Sequence, residues 1–255
     1  MRWSLRVARI AGIGIYVHVT FLLIVLWIAV QEYDSGVRAV AGALLYIGCL
    51  FAIVVLHELG HALTARRFGV ATRDIILLPI GGVARLERMP RNPRQELAVA
   101  LAGPAVNIAL AITLFVIVRL TGQLPSIELY DFDVFSSVRV FLYQFVLVNV
   151  VLALFNLLPA FPMDGGRVLR ALLAMRMSSY ARATGIAARI GRALALLLGA
   201  AGLYELRNPF WVLIALFVWI GGRNEAAAVR DVEVVRAASI LVVPVDRAPH
   251  EPVVE

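Results

Sequence analysis

Lysine is absent from the 255 residues: all 24 basic side chains are arginine, against 17 acidic ones. That absence reads as genomic composition bias rather than chemistry. Cysteine is almost absent too. A single residue, Cys49, leaves no disulfide framework and no thiolate metal site, and its apolar neighbours give it a packing role. Charge is scarce: 16% of residues are charged and 61% hydrophobic, with mean hydropathy +0.86. Soluble domains carry about 25% charged residues, so a water-soluble enzyme or binding domain is excluded. The net charge of +7 comes without a basic patch interleaved with aromatics, which leaves nucleic acid out as a partner. No internal repeat is found, unlike the paired repeats of secondary transporters. The first apolar run has no small-x-small cleavage site and is too long for a signal-peptide core, so it reads as retained.

What is present is long apolar sequence. A membrane span needs about 20 such residues, and stretches 13–30, 40–65, 97–118 and 138–158 supply them. Two shorter stretches, 193–206 and 209–220, flank an Arg207-Asn208 turn and form either two short spans or a hairpin that does not fully cross. The expected fold is an all-α polytopic membrane protein with about six transmembrane helices. Trp3, Trp27, Trp211 and Trp219 suit interfacial anchors. The arginines orient it. Residues 66–94 hold Arg66, Arg67, Arg73, Arg85, Arg88, Arg91 and Arg94 against Asp74 and Glu87, and residues 167–192 carry arginine with no acid. Residues 31–38 and 121–137 are acidic by contrast, with Glu32, Asp34, Glu128, Asp131 and Asp133. The positive-inside rule then places both termini and both basic stretches in the cytoplasm of a multi-pass plasma-membrane protein. Residues 167–180, arginines among leucines, read as a surface helix with a solvated basic face.

Within the second apolar run stands His57-Glu58-Leu59-Gly60-His61. Ionisable groups at bilayer depth are costly and mark function. Histidines four apart share one helix face with Cβ atoms about 5–6 Å apart, close enough for one Zn²⁺, and the intervening glutamate can serve as general base on an activated water. Catalytic zinc takes three protein ligands and keeps a fourth position open. His18 and His250 suit the third place poorly. The outstanding carboxylate is Asp164, in Asn156-Leu-Leu-Pro159-Ala-Phe-Pro162-Met-Asp164-Gly165-Gly166-Arg167. Its prolines and glycines must break the fourth helix, and irregular backbone at membrane depth belongs beside protein or a wet cavity. A plain helix stop, with Asp164 capping the next helix, is the competing account. Asn107 and Thr113 are expected to hydrogen-bond across helices, and Gly103-Pro104 to mark close helix contact.

Over residues 5–222 the chain resembles the site-2 protease family of intramembrane zinc metalloproteases, peptidase family M50. The likeness rests on His57-Glu58-Leu59-Gly60-His61, on Asn156…Pro159…Pro162-x-Asp164-Gly165-Gly166, on Gly103-Pro104-Ala-Val-Asn107, and on Pro79-Ile-Gly81-Gly82-Val83. It implies that His57, His61 and Asp164 bind one zinc ion and that Glu58 is the catalytic acid/base. It implies that Asn156 faces the site and polarises the scissile carbonyl or holds the oxyanion, and that Gly81-Gly82 belongs to a small re-entrant β-hairpin between the second and third spans. That hairpin would hold substrate by strand addition. The implied substrate is a membrane-spanning protein, such as an anti-sigma factor, cut in regulated proteolysis; the implied surroundings are the lipid bilayer. On this reading residues 1–222 are the protease core and 223–255 a short cytoplasmic tail, without room for the paired CBS modules of many relatives. The chain is then a short subtype or a truncated form. A zinc-binding chaperone without protease activity is the alternative; its usual mark, loss of the base, is not seen, since Glu58 is intact.

Overall fold

The computed structural model describes residues 3–79, 81–88, 90, 92–122, 124, 137–177, 179–204 and 209–241, the side chains of 209 and 232–241 excepted. The first apolar run does not form the span its length suggests. Ile13 and Ile15 are buried and Gly14 and Tyr16 are less so, a period-two pattern, and Ile13–His18 is strand β2. Only Phe21–Gln31 is helical (α1, 11 residues), about 16 Å long at 1.5 Å per residue against a hydrocarbon core of about 30 Å. The expected six spans are therefore five long helices among the described residues, plus this short one.

Strand β1 (Ser4–Ile10) pairs antiparallel with β2 across a turn at Ala11 and Gly12, both at positive φ. After α1 and the long helix α2 (Val37–Arg67) the chain returns as β3 (Thr72–Leu78), parallel to β2, and β4 (Gly81–Leu86), antiparallel to β3. The expected hairpin is thus half of a four-stranded mixed sheet ordered β1-β2-β3-β4. Among the described residues one edge of β4 has no strand partner. The sheet is held by Ile13, Ile15, Ile75 and Leu77, which pack on Phe51, Val55, Leu59 and Ala62 of α2. That contact fixes β4 beside the middle of α2.

The other long helices are α3 (Pro93–Leu120), α4 (Val138–Asn156), α6 (Tyr180–Tyr204) and α7 (Pro209–Leu241). Asn92 caps α3 by accepting from the Arg94 amide at 3.0 Å, with Pro93 in the first turn, and Ser137 caps α4 through the Val140 amide. Helix α6 starts thirteen residues before the apolar stretch 193–206. It buries Ala183, Ala187, Ala188, Gly191 and Ala195, small residues that allow close helix approach and contribute little hydropathy. Helix α7 runs on past residue 222 to Leu241. In each candidate span at most 28% of the most apolar window is buried by protein, so most of its apolar surface is left for lipid. The acidic stretch 125–136 and the Arg207-Asn208 turn lie outside the described residues.

The proline-glycine element ends α4 at Asn156 and starts α5 (Asp164–Arg176) at Asp164. The expected solvated basic face holds at Arg176, which is exposed, and is corrected at Arg170. Arg170 is 1% exposed: its Nε donates to Glu96 Oε1 at 2.7 Å, it pairs with Glu225 of α7, and it stacks over the rings of Phe161 and Tyr180. Burial works against its charge, but Glu96, Tyr180 and Glu225 outweigh that and hold the guanidinium firmly protonated. One ion triad ties α3, α5 and α7 together around the loop that carries Asp164.

Candidate active site

Helix α2 places His57 and His61 one turn apart, facing α3 and α5. The Nε2 atoms of the two imidazoles lie 3.1 Å apart, and Asp164 Oδ2 lies 3.2 Å from His57 Nε2 and 3.0 Å from His61 Nε2. All three side chains are buried. This triangle forms because α3 has no side chain in the way. A Cβ added at Gly103 would overlap His61 Nε2 and stand 2.6 Å from His57 Nε2. Gly60 plays the reciprocal part, since a Cβ there would lie 2.7 Å from the Ala102 carbonyl oxygen. The expected close contact at Gly103 thus makes room for the imidazoles themselves.

Each ring is oriented from its far side. His61 Nδ1 donates to the Val99 carbonyl at 2.7 Å, and His57 Nδ1 donates to Asn107 Oδ1 at 2.5 Å. With both Nδ1 atoms donating, neutral imidazoles turn their Nε2 lone pairs toward each other and toward a carboxylate. Three acceptors within 3.2 Å of one another repel unless a cation sits among them. Two imidazole nitrogens and a carboxylate oxygen form a donor set that catalytic zinc takes, with hydrogen bonds on the outer ring nitrogens. The cluster fits a zinc ion.

Glu58 lies beside this cluster on the same cavity. Its Oε2 accepts the Ala84 amide of β4 at 3.1 Å, so the glutamate sits on the unpaired edge of that strand. Gly82 makes the approach possible: a Cβ there would stand 2.8 Å from Val54 Cγ1 and 3.0 Å from Glu58 Cγ. Gly81 has φ +135°, a conformation closed to most residues. The cavity, of about 440 Å³, is lined by His57, Glu58, His61, Asp164, Gly81 and Gly82, and also by Asn156, Arg167 and Phe217 of α7. Asn156 donates one Nδ2 hydrogen to the Leu152 carbonyl at 3.0 Å. His57, Glu58, His61, Gly81, Gly82, Asn156 and Asp164 therefore meet at one cavity. His18 does not line it; its Nδ1 lies 2.8 Å from Thr20 Oγ1. Thr113 bonds its own helix at the Ala109 carbonyl rather than a neighbouring one.

Sequence reasoning overlooked Asn149, which is fully buried and takes a hydrogen bond from Asn107 Nδ2 at 3.0 Å. A signal was there: it lies seven residues, or two turns, before Asn156 on one face of α4. The Val99 carbonyl, being backbone, left none.

Residues 45–198 match the sequence profile of Peptidase family M50. The chain belongs to that family. A zinc metalloprotease of Methanocaldococcus jannaschii is 39% identical over 90% of this chain and 62% of its own length. The Mycobacterium tuberculosis zinc metalloprotease named Rip3 is 36% identical over 88% of the chain and 59% of its own length. The chain thus spans about three-fifths of these curated M50 relatives. The solved structure of a site-2 protease from Methanocaldococcus jannaschii superposes with TM-score 0.61 at 38% identity, covering 88% of this chain and 95% of that one.

Proposed function

We propose that this M50 chain is an intramembrane zinc endopeptidase that cuts membrane-spanning proteins, in the manner of regulated intramembrane proteolysis of membrane-tethered regulators such as anti-sigma factors. His57, His61 and Asp164 would hold one zinc ion. The observation that carries the reading is the convergence of their three donor atoms beside a glutamate seated on an open strand edge. When bound, zinc supplies Lewis acidity, polarising the scissile carbonyl and making water a better nucleophile at neutral pH. Glu58 takes the proton from the attacking water on its Oε1, while Oε2 stays anchored to the Ala84 amide, and delivers it to the leaving nitrogen as that bond breaks. Asn156, with one Nδ2 hydrogen on Leu152, keeps a second for the scissile carbonyl oxygen.

A transmembrane helix shields its own peptide bonds, so substrate must unwind. The edge of β4 turned away from β3, apart from the Ala84 amide that Glu58 takes, offers an unwound segment a strand to pair with, and Gly81 and Gly82 let its backbone come close to Glu58. The protease core is assigned to residues 1–222 together with the continuation of α7 that carries Glu225, and the residues beyond that helix to a cytoplasmic tail. Arginine in residues 66–94 and 167–192 supports cytoplasmic termini in a plasma-membrane protein, with β2 and α1 together carrying the chain across ahead of α2 and the site nearer the cytoplasmic face. The test is Glu58→Gln. The variant should keep its zinc and lose cleavage of a reporter transmembrane substrate by about 10²–10⁴-fold, the contribution of a general acid–base. Cleavage within about tenfold of wild type would overturn the assignment.

A further inference from the structure

We propose that Asn149 is a positioning residue for His57: through Asn107 it fixes which ring nitrogen of that histidine carries the proton. The inference rests on the zinc-site reading above for its consequence, but not for its geometry. Three hydrogen bonds run from α4 through α3 to α2, and their direction is set at one end. The Phe145 carbonyl can only accept, so the atom of Asn149 that lies 2.8 Å from it is the donor nitrogen Nδ2. The amide oxygen of Asn149 must then face Asn107, where it accepts from Nδ2 at 3.0 Å. That leaves Asn107 Oδ1 as the atom 2.5 Å from His57 Nδ1, which must donate. His57 is held as the Nδ1–H tautomer, its Nε2 lone pair directed at the donor cluster.

Both asparagines are fully buried, in helices whose length and composition suit a membrane span. A partner lost there leaves a buried amide unsatisfied, which is expensive. Without Asn149 nothing in the chain of bonds fixes the orientation of Asn107. A flipped Asn107 would present its NH₂ to His57 Nδ1 and favour the other tautomer, whose Nε2–H points into the cluster and cannot ligate. His61 needs no such relay, since the Val99 carbonyl contacts its Nδ1 directly.

Two substitutions separate this role from packing. Asn149→Leu fills similar space but offers Asn107 no acceptor. Asn149→Asp keeps one: ionised or protonated, its carboxyl accepts from Asn107 Nδ2, and when protonated it also donates to Phe145. In the zinc-free 255-residue chain in detergent, ¹⁵N NMR of its four histidines, above the imidazole titration range, reads the tautomer without any need for activity. Wild type and Asn149→Asp should show His57 as Nδ1–H, and Asn149→Leu a mixture of both forms. Zinc affinity, by chelator competition, should fall about 10–100-fold in Asn149→Leu and stay near wild type in Asn149→Asp, with cleavage by Asn149→Leu recovering at saturating zinc. A wild-type His57 in the Nε2–H form overturns the proposal, even if Asn149→Leu fails to fold. So does an Asn149→Asp variant as impaired in zinc affinity as Asn149→Leu. A chain that shows the expected tautomer but never cleaves would leave the relay standing and remove the protease reading.

Discussion

Gly103→Ala is the smallest change that should dismantle the metal site without touching a ligand. The added methyl would stand 2.6 Å from His57 Nε2 and closer still to His61 Nε2, in front of backbone that cannot yield easily because Gly60 of α2 already rests on the Ala102 carbonyl. An ordinary carbon–nitrogen contact is about 3.4 Å, so His57 must retreat by about 0.8 Å and His61 by more. Metal–ligand distances tolerate only about ±0.2 Å. The site therefore moves several times beyond what zinc accepts, whereas the fold loses only the about 1–3 kcal/mol that overpacking costs. Metal analysis of the purified variant should find zinc reduced to a small fraction of wild type, with chain yield and helical circular dichroism retained. Gly48→Ala, also in a long helix but with nothing within 4 Å of the new Cβ, is the control; it should bind zinc normally and melt slightly higher, since glycine costs a helix roughly 0.5–1 kcal/mol. Wild-type zinc affinity in Gly103→Ala would refute the claim that this glycine makes room for the imidazoles.

Two further outcomes follow from the same geometry. Arg170→Met should destabilise the chain by about 3–5 kcal/mol, because it strips the fully buried Glu96 of the guanidinium that offsets its burial; adding Glu96→Gln should recover much of that loss in a thermal melt, and no recovery would mean that the triad is not the source. Gly82→Pro removes an amide from the open edge of β4 and crowds Glu58, so cleavage should vanish while zinc content holds, whereas Val83→Ile, at an exposed position, should be mild; normal cleavage by Gly82→Pro would end the strand-addition account.

The residues of the donor cluster were legible because they are costly where they stand. Two histidines four apart and a glutamate inside an apolar run have few explanations, and the proline-glycine element around Asp164 had to break a helix. Other features hid behind the same hydrophobicity that revealed the membrane. In the first run, β2 alternates burial with residues that are nearly all apolar on both faces, so a length criterion reads strand and helix alike; only His18 and Thr20 hinted at the break. The start of α6 is packed with alanine and glycine, which bury well yet score weakly. Arg170 was indistinguishable from a solvated arginine because its partners, Glu96 and Glu225, lie 74 and 55 residues away. Such pairings exist only once α3, α5 and α7 have met.

The central claim is that donors from α2 and α5 hold one zinc ion next to Glu58, and zinc-edge X-ray absorption of the purified chain tests it most directly. Wild type should carry one zinc per chain in a first shell of nitrogen and oxygen at about 2.0–2.2 Å, with scattering from two imidazoles and none from sulfur. Asp164→Ala should lose zinc or change that shell. A wild-type chain that takes up no zinc, or an Asp164→Ala spectrum identical to wild type at full occupancy, would contradict the account.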